Sequence, residues 1–227
     1  MLNNIWKIIF GNNKGCFFCG AQVAVGETYC FECRNTVGDW QRSTFCRHCG
    51  RHLREYSCSC KGKAAFKRTF AVLPYRGVFR RAVKEFKFGK STWRLKSLIQ
   101  LLLERWDKNI SIDLVTFVPM HSTSEAIRGF HPTKALASSL AKNLQLPFSN
   151  DLVQKNKHNK AQSLVNTGQR KKNVQGVFSL KLAKRVVNKK ILLVDDVFTT
   201  GATVEEISAM LVAAGAESVY ILCLAMS

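Results

Sequence analysis

Two adjacent carboxylates and a hydroxyl-rich turn stand together near the C-terminal end of this chain. Asp195 and Asp196 follow four apolar residues, Ile191, Leu192, Leu193 and Val194. After Val197 and Phe198 come Thr199, Thr200, Gly201, Ala202 and Thr203, and then a helical pattern. An unbroken apolar run of this length reads as a strand buried on both faces of a parallel sheet. Acids at the end of such a strand lie where α/β sheets bind ligands. A small turn leading into a helix aims backbone N–H groups and hydroxyls at one spot, which suits a phosphate. The acid pair suits ribose hydroxyls, or a divalent cation such as Mg²⁺ with its waters. One segment therefore offers both halves of a sugar-phosphate site. The competing reading is a strand–turn–helix whose acids only cap the next helix. A Walker B strand is excluded: the one upstream phosphate-loop candidate, Phe88 to Thr92, has Lys84 where its first glycine must stand.

A second chemistry is written at the other end. Eight of the nine cysteines fall in the first 60 residues, as the pairs Cys16/Cys19, Cys30/Cys33, Cys46/Cys49 and Cys58/Cys60. Gly20 and Gly50 follow the first and third pairs directly. Such a turn is a zinc knuckle, in which glycine relieves crowding while sulfur and backbone N–H groups converge on the metal. Two four-cysteine zinc ribbons in series is the natural reading. An interleaved arrangement, in which the first and third pairs share one ion, stays open. Four thiolates close a coordination sphere, so both ions would be structural. A disulfide framework fits poorly, because the chain shows no secretory signal and reads as cytosolic. Cys223, within an apolar run over 219–225, is expected to be a core thiol.

The elements that must position these groups follow from periodicity. Residues 69–75 read as an edge strand, with Pro74 at its end. Val78, Phe79, Ala82, Val83 and Phe86 recur at helical spacing, with Arg80, Arg81, Lys84 and Lys87 largely outside that stripe. A second helix is expected over 94–106 and a strand over 113–119, whose exit loop holds Met120 and His121. Pro132 and Thr133 open a helix over 133–143. Residues 155–175 are polar and basic and read as a loop before a short strand over 176–180. The fold class is thus α/β, a parallel sheet with flanking helices (63–227) preceded by a small cysteine-rich module (1–62).

The net charge of +20 is unevenly spread. Residues 63–110 carry 13 basic and 3 acidic groups, and residues 151–190 carry 11 and 1. Polyanionic partners are the first inference. Arg80, Arg81, Lys84, Lys87, Lys90 and Arg94 are the candidate phosphate contacts for single-stranded DNA, with Phe88 and Trp93 the aromatics best placed to stack on bases. The apolar start of the chain is broken by Lys7 and is too short for a membrane span.

The segment 191–203 resembles the phosphoribosyl pyrophosphate (PRPP) loop of type I phosphoribosyltransferases. The resemblance implies that Asp195 and Asp196 hold the ribose hydroxyls. It implies that Thr199, Thr200, Gly201, Ala202 and Thr203 hold the 5′-phosphate, with Mg²⁺ accompanying PRPP. The exit loop with Pro119, Met120 and His121 would face pyrophosphate, although His121 reads equally well as a core histidine. Arg128 is a further candidate for the anion. The basic loop over 155–175 would be a lid.

The succession of paired cysteines, Tyr75-Arg76-Gly77, Phe86-Lys87-Phe88-Gly89, Val118-Pro119-Met120-His121, Arg128-Gly129-Phe130 and the acid loop is similar to the ComF family of competence proteins. That resemblance implies a double zinc ribbon fused to a phosphoribosyltransferase-like domain. It also implies handling of single-stranded DNA during natural transformation, beside a DNA-translocating helicase, in the cytoplasm or at the inner face of the membrane. A homodimer and an active transferase of nucleotide metabolism using Mg-PRPP are further expectations of this kind. Two positions depart from the family: His131 stands where asparagine is usual, and Met120 where a second proline is frequent.

Overall fold

The computed structural model describes residues 15–24, 26–46, 49, 50, 52, 53, 58, 60, 64–88, 93–156 and 176–227, without the side chains of Trp93, Arg94 and Arg128. In chain order the elements are α1 (Phe31–Arg42), β1 (Arg68–Pro74), α2 (Gly77–Phe88), α3 (Trp93–Arg105), β2 (Leu114–Phe117), α4 (Ser122–Arg128), α5 (Pro132–Leu144), β3 (Val153–Lys155), β4 (Phe178–Leu180), β5 (Lys190–Phe198), α6 (Ala202–Ala213) and β6 (Ser218–Met226). Strands β1, β6, β5 and β2 lie side by side in that order, all parallel. β3 and β4 pair antiparallel as a separate ribbon.

β5 and β6 occupy the centre because their residues can be buried on both faces. Along β5 the side chains alternate between two cores. Leu192 and Val194 join Leu222 and Leu224 on the face covered by α3 and α5. Ile191 and Leu193 join Ile221 and Cys223 on the face covered by α6. This period of two is what a strand requires, and a parallel sheet covered on both sides needs apolar residues at every position. β1 is an edge strand that ends at Pro74, and the next residue, Tyr75, donates to the Met226 carbonyl of β6 at 2.7 Å, so the missing proline N–H costs no bond to β6. Cys223 is a buried thiol whose Sγ donates to the carbonyl of Phe70 at 3.3 Å.

The cysteine-rich module does not stand apart from the sheet. Cys16, Phe17, Phe18, Cys33 and Val37 belong to the same hydrophobic cluster as Phe79, Leu101 and Leu222. The Phe18 ring stacks on Tyr29 at 5.0 Å and meets Phe79 edge-on at 4.7 Å. α1, which the sequence pattern did not suggest, begins directly after Cys30 and runs along β1. Its Trp40 donates from Nε1 to the carbonyl of Ala71 at 3.4 Å, and Arg105 Nε donates to the same oxygen at 3.4 Å. An unpaired strand edge is a hazard unless covered, and these donors cover it. Gly50, at φ +70°, packs so tightly that a Cβ would come within 2.6 Å of the Thr69 carbonyl oxygen.

Gly50→Ala should therefore destabilise twice over, through a strained backbone and through a clash with β1 that cannot relax along a flexible side chain. We expect a loss of about 1–3 kcal/mol, read as a melting temperature several degrees lower; an unchanged melting curve would show that the module does not brace the edge.

Candidate functional site

The site is built on the end of β5. This strand continues past the apolar run to Phe198, so both acids are strand residues rather than loop residues. Asp195 is in register with Cys223 of β6 and is 9% exposed. Its Oδ1 accepts from the Asp196 backbone N–H at 2.7 Å. Burial pushes the Asp195 carboxyl up to about 7, and the charge of Asp196 pushes in the same direction while Lys87 opposes it.

Phe198 then folds under the turn. Gly201, at φ +80°, stands directly over its ring, where a Cβ would meet Cζ at 2.6 Å. Only glycine allows both this conformation and this approach. Thr200 Oγ1 accepts from Ala202 N–H at 3.4 Å, and Gly201 caps α6 without a side chain. The first turn of α6, with its N–H groups, thus follows directly on Thr199 and Thr200 and includes Thr203, all three partly buried. The N-terminal half of α6 also anchors the segments that lead into β1 and β4. Glu205 accepts from Ala65 N–H at 3.0 and 3.1 Å, and Glu206 from Val177 N–H at 3.3 Å.

Lys87 enters this site from α2. Its Nζ lies 2.8 Å from Asp196 Oδ2, with the two side chains 19% and 16% exposed. This corrects the expectation that Lys87 lies on the outer basic face with Arg80, Arg81 and Lys84, which are exposed. The reason is periodicity: Lys87 is four residues beyond buried Val83, at the rim of the apolar stripe, and the last turn of α2 ends beside β5. Phe88 is 64% exposed. Lys90 and residues 157–175 lie outside the described residues, as do the side chains of Arg94 and Arg128.

His121 is neither buried nor in the core. It is the half-buried N-cap of α4, with Nδ1 accepting from Thr123 N–H at 3.3 Å. The structure draws attention instead to His131. It is 7% exposed, with Nε2 3.1 Å from the Met120 backbone nitrogen and Nδ1 3.2 Å from that of Lys134. Burial lowers its pKa, which keeps the ring neutral. A neutral imidazole accepts at one nitrogen only, so the ring holds either the loop at Met120 or the first turn of α5 at any moment. A cavity of about 290 Å³ lies beside that loop, lined by Met120, Glu125, His131, Lys134, Asp151 and Lys155 among others, and not by Asp195 or Asp196. The chemistry described above rests on the turn rather than on this cavity.

The cysteines form two groups, Cys16/Cys19/Cys30/Cys33 and Cys46/Cys49/Cys58/Cys60, with the sulfurs of each all within 4.8 Å of one another. Neighbouring sulfurs are 3.6 Å (Cys19–Cys30), 3.5 Å (Cys46–Cys60) and 3.4 Å (Cys49–Cys58) apart. Tetrahedral zinc at about 2.3 Å from each sulfur requires roughly 3.8 Å between them, so each group fits one ion. The pairing is sequential. None of these thiols is in a disulfide. No helix among the described residues is long and apolar enough to cross a membrane.

Two measurements follow. A chelator strong enough to strip thiolate-bound zinc should lower the melting temperature of the whole molecule, because the first cluster shares its core with the sheet; loss confined to the first 60 residues would contradict that. Asp195 holds its proton up to about pH 7 in the folded state, whereas the unfolded chain loses it near 4. The stability from that proton is complete below about pH 4 and is lost as pH rises through 7. Asp195→Asn should thus melt higher than the parent at pH 8, with the gap narrowing at pH 5; equal pH slopes in the two proteins would refute the burial argument.

Residues 128–226 match the family described as the phosphoribosyl transferase domain. Competence protein F of Haemophilus influenzae is 26% identical over 221 residues, 92% of this chain and 95% of that protein. DNA utilization protein YhgH of Escherichia coli is 28% identical over 222 residues, with the same shares covered. Competence protein ComFC of Streptococcus pneumoniae is 27% identical over 195 residues, 86% of this chain and 79% of that protein.

Proposed function

We propose, from this full-length similarity to ComF-type competence and DNA utilization proteins, that the chain handles single-stranded DNA during DNA uptake. Its acid loop would serve as a ribose-phosphate site of the PRPP type. The observation that carries this reading is one helix with two faces. The outer face of α2 presents Arg80, Arg81 and Lys84, while its last turn delivers Lys87 to Asp196, three residues before the Thr199–Thr200–Gly201 turn. A strand of nucleic acid following the outer basic face would therefore pass near an acid pair and a turn suited to a sugar and a phosphate.

Asp195 and Asp196 would accept hydrogen bonds from ribose hydroxyls. Thr199, Thr200, Gly201, Ala202 and Thr203 would surround the 5′-phosphate. His121, the N-cap of α4, and Arg128, its last residue, would be the candidates to meet any further anionic group, and two zinc ions would hold the cysteine module. Arg80 already lies over the Tyr75 ring at 5.7 Å, so the basic face carries an aromatic partner of the kind that stacks on bases. The relatives' names place those proteins in competence and DNA utilization. The corresponding setting here is the cytoplasmic side of a DNA uptake machine, beside a DNA-translocating helicase and with a homodimer as the working form.

The test is the salt dependence of binding to a labelled oligonucleotide. Three phosphate contacts on a single strand contribute roughly 2 to the slope of log K against log salt. The triple variant Arg80→Ala/Arg81→Ala/Lys84→Ala should bind more weakly at every sequence tested, with a slope shallower by about that amount. Unchanged affinity and slope would remove α2 as the DNA-tracking surface.

A further inference from the structure

The acid pair carries its own counter-ion. Lys87 Nζ sits 2.8 Å from Asp196 Oδ2 in a setting where both side chains are largely out of water. A divalent cation bound directly to the acids would have to displace that ammonium or lie next to it. Two positive centres within one such pocket repel strongly at the low local dielectric. Mg²⁺ also asks for a nearly ideal octahedron of oxygens. Here one carboxylate is already paired, and the other lies at the buried end of a strand with one oxygen taken by the Asp196 N–H. The residues present do not fit a resident divalent cation.

They do fit a neutral diol. A carboxylate has about four acceptor positions, and Lys87 and the Asp196 N–H take one on each acid. Capacity remains on both for a pair of hydroxyl donors, with the ammonium fixing the Asp196 carboxylate in place. We propose that Lys87 is a tethered counter-cation that fixes the specificity of this site, so that its acids take the hydroxyls of a ribose phosphate without a divalent metal. Lys87 is a positioning residue in this scheme, and the inference rests on the sugar-phosphate reading given above.

The probe is ribose 5-phosphate, which lacks the pyrophosphate that would itself chelate metal. It is titrated calorimetrically into zinc-loaded protein, in buffer passed over a cation-exchange resin and again with millimolar Mg²⁺. The parent protein should bind with the same affinity, within about twofold, in both buffers. Lys87→Met should bind at least about tenfold more weakly without Mg²⁺ and recover part of that loss when Mg²⁺ is added. It should also gain a heat of Mg²⁺ binding in the absence of sugar, a signal that a merely structural role would not produce. Lys87→Arg keeps the charge and should retain metal-independent binding. Binding by the parent only when Mg²⁺ is present, or metal-free binding by Lys87→Met as tight as the parent's, overturns the inference while leaving the sugar-phosphate site standing. Absence of binding by the parent in both buffers overturns that site and the inference together.

Discussion

A carboxylate held where water hardly reaches is the constraint on which this molecule turns. Asp195 sits at the end of the central strand, 9% exposed, beside the ionisable Asp196. Burying a charge costs several kcal/mol unless it is paired or hydrogen-bonded. The fold meets that cost locally, with the Asp196 backbone N–H against Asp195 and the Lys87 ammonium against Asp196. It meets it incompletely, since the Asp195 pKa remains raised to about 7. A group kept in so unfavourable a place has no packing reason to be there, because a valine in its position would continue the strand without penalty. Residual cost of this kind collects at functional sites.

The scaffold around that strand is bound into one body from both ends. The first cysteine cluster is buried in the core that lines one face of the sheet, and α1 covers the sheet edge with Trp40. On the opposite face the N-terminal half of α6 uses Glu205 and Glu206 to hold the chain segments that lead into β1 and into β4. The phosphate-type turn is therefore fixed by neighbours distant in sequence, and Phe198 fixes it from below. A turn whose N–H groups are aimed in advance has little ordering entropy left to lose when an anion arrives.

The parts of this arrangement that were legible in the sequence are those where one residue type admits one solution. The apolar run before Asp195, short and ended by two acids, read as a doubly buried strand, and Gly201 after two threonines read as a tight turn. Paired cysteines at short spacing, two of the pairs followed directly by glycine, pointed to metal before any distance was known. α1 was not legible, because it starts inside a cysteine pair with exposed Phe31 and carries only Cys33 and Val37 fully buried. β3, three residues long, gives no period to detect. His131 looked like a substitution within a motif, and its role depends on a contact with Met120 that the spacing does not reveal. Lys87 was misplaced for a different reason: charge suggested the solvent face, whereas its distance of four residues from Val83 pointed inward.

The placement of Lys87 also separates two kinds of recognition that the bare charge of +20 does not distinguish. Exposed arginines and lysines on α2 act over about a Debye length, roughly 8–10 Å in ordinary salt, and draw in any polyanion. Inside the site the ammonium is balanced by Asp196, so the pocket offers an arriving phosphate little net attraction. Under the proposed reading, what holds a ligand there is the fit of hydroxyls to carboxylates and of phosphate oxygens to the N–H groups and threonines of the turn. Those bonds are short-ranged and weakly screened. Salt should therefore govern how the protein finds nucleic acid, while geometry at the end of β5 governs which sugar-phosphate group stays.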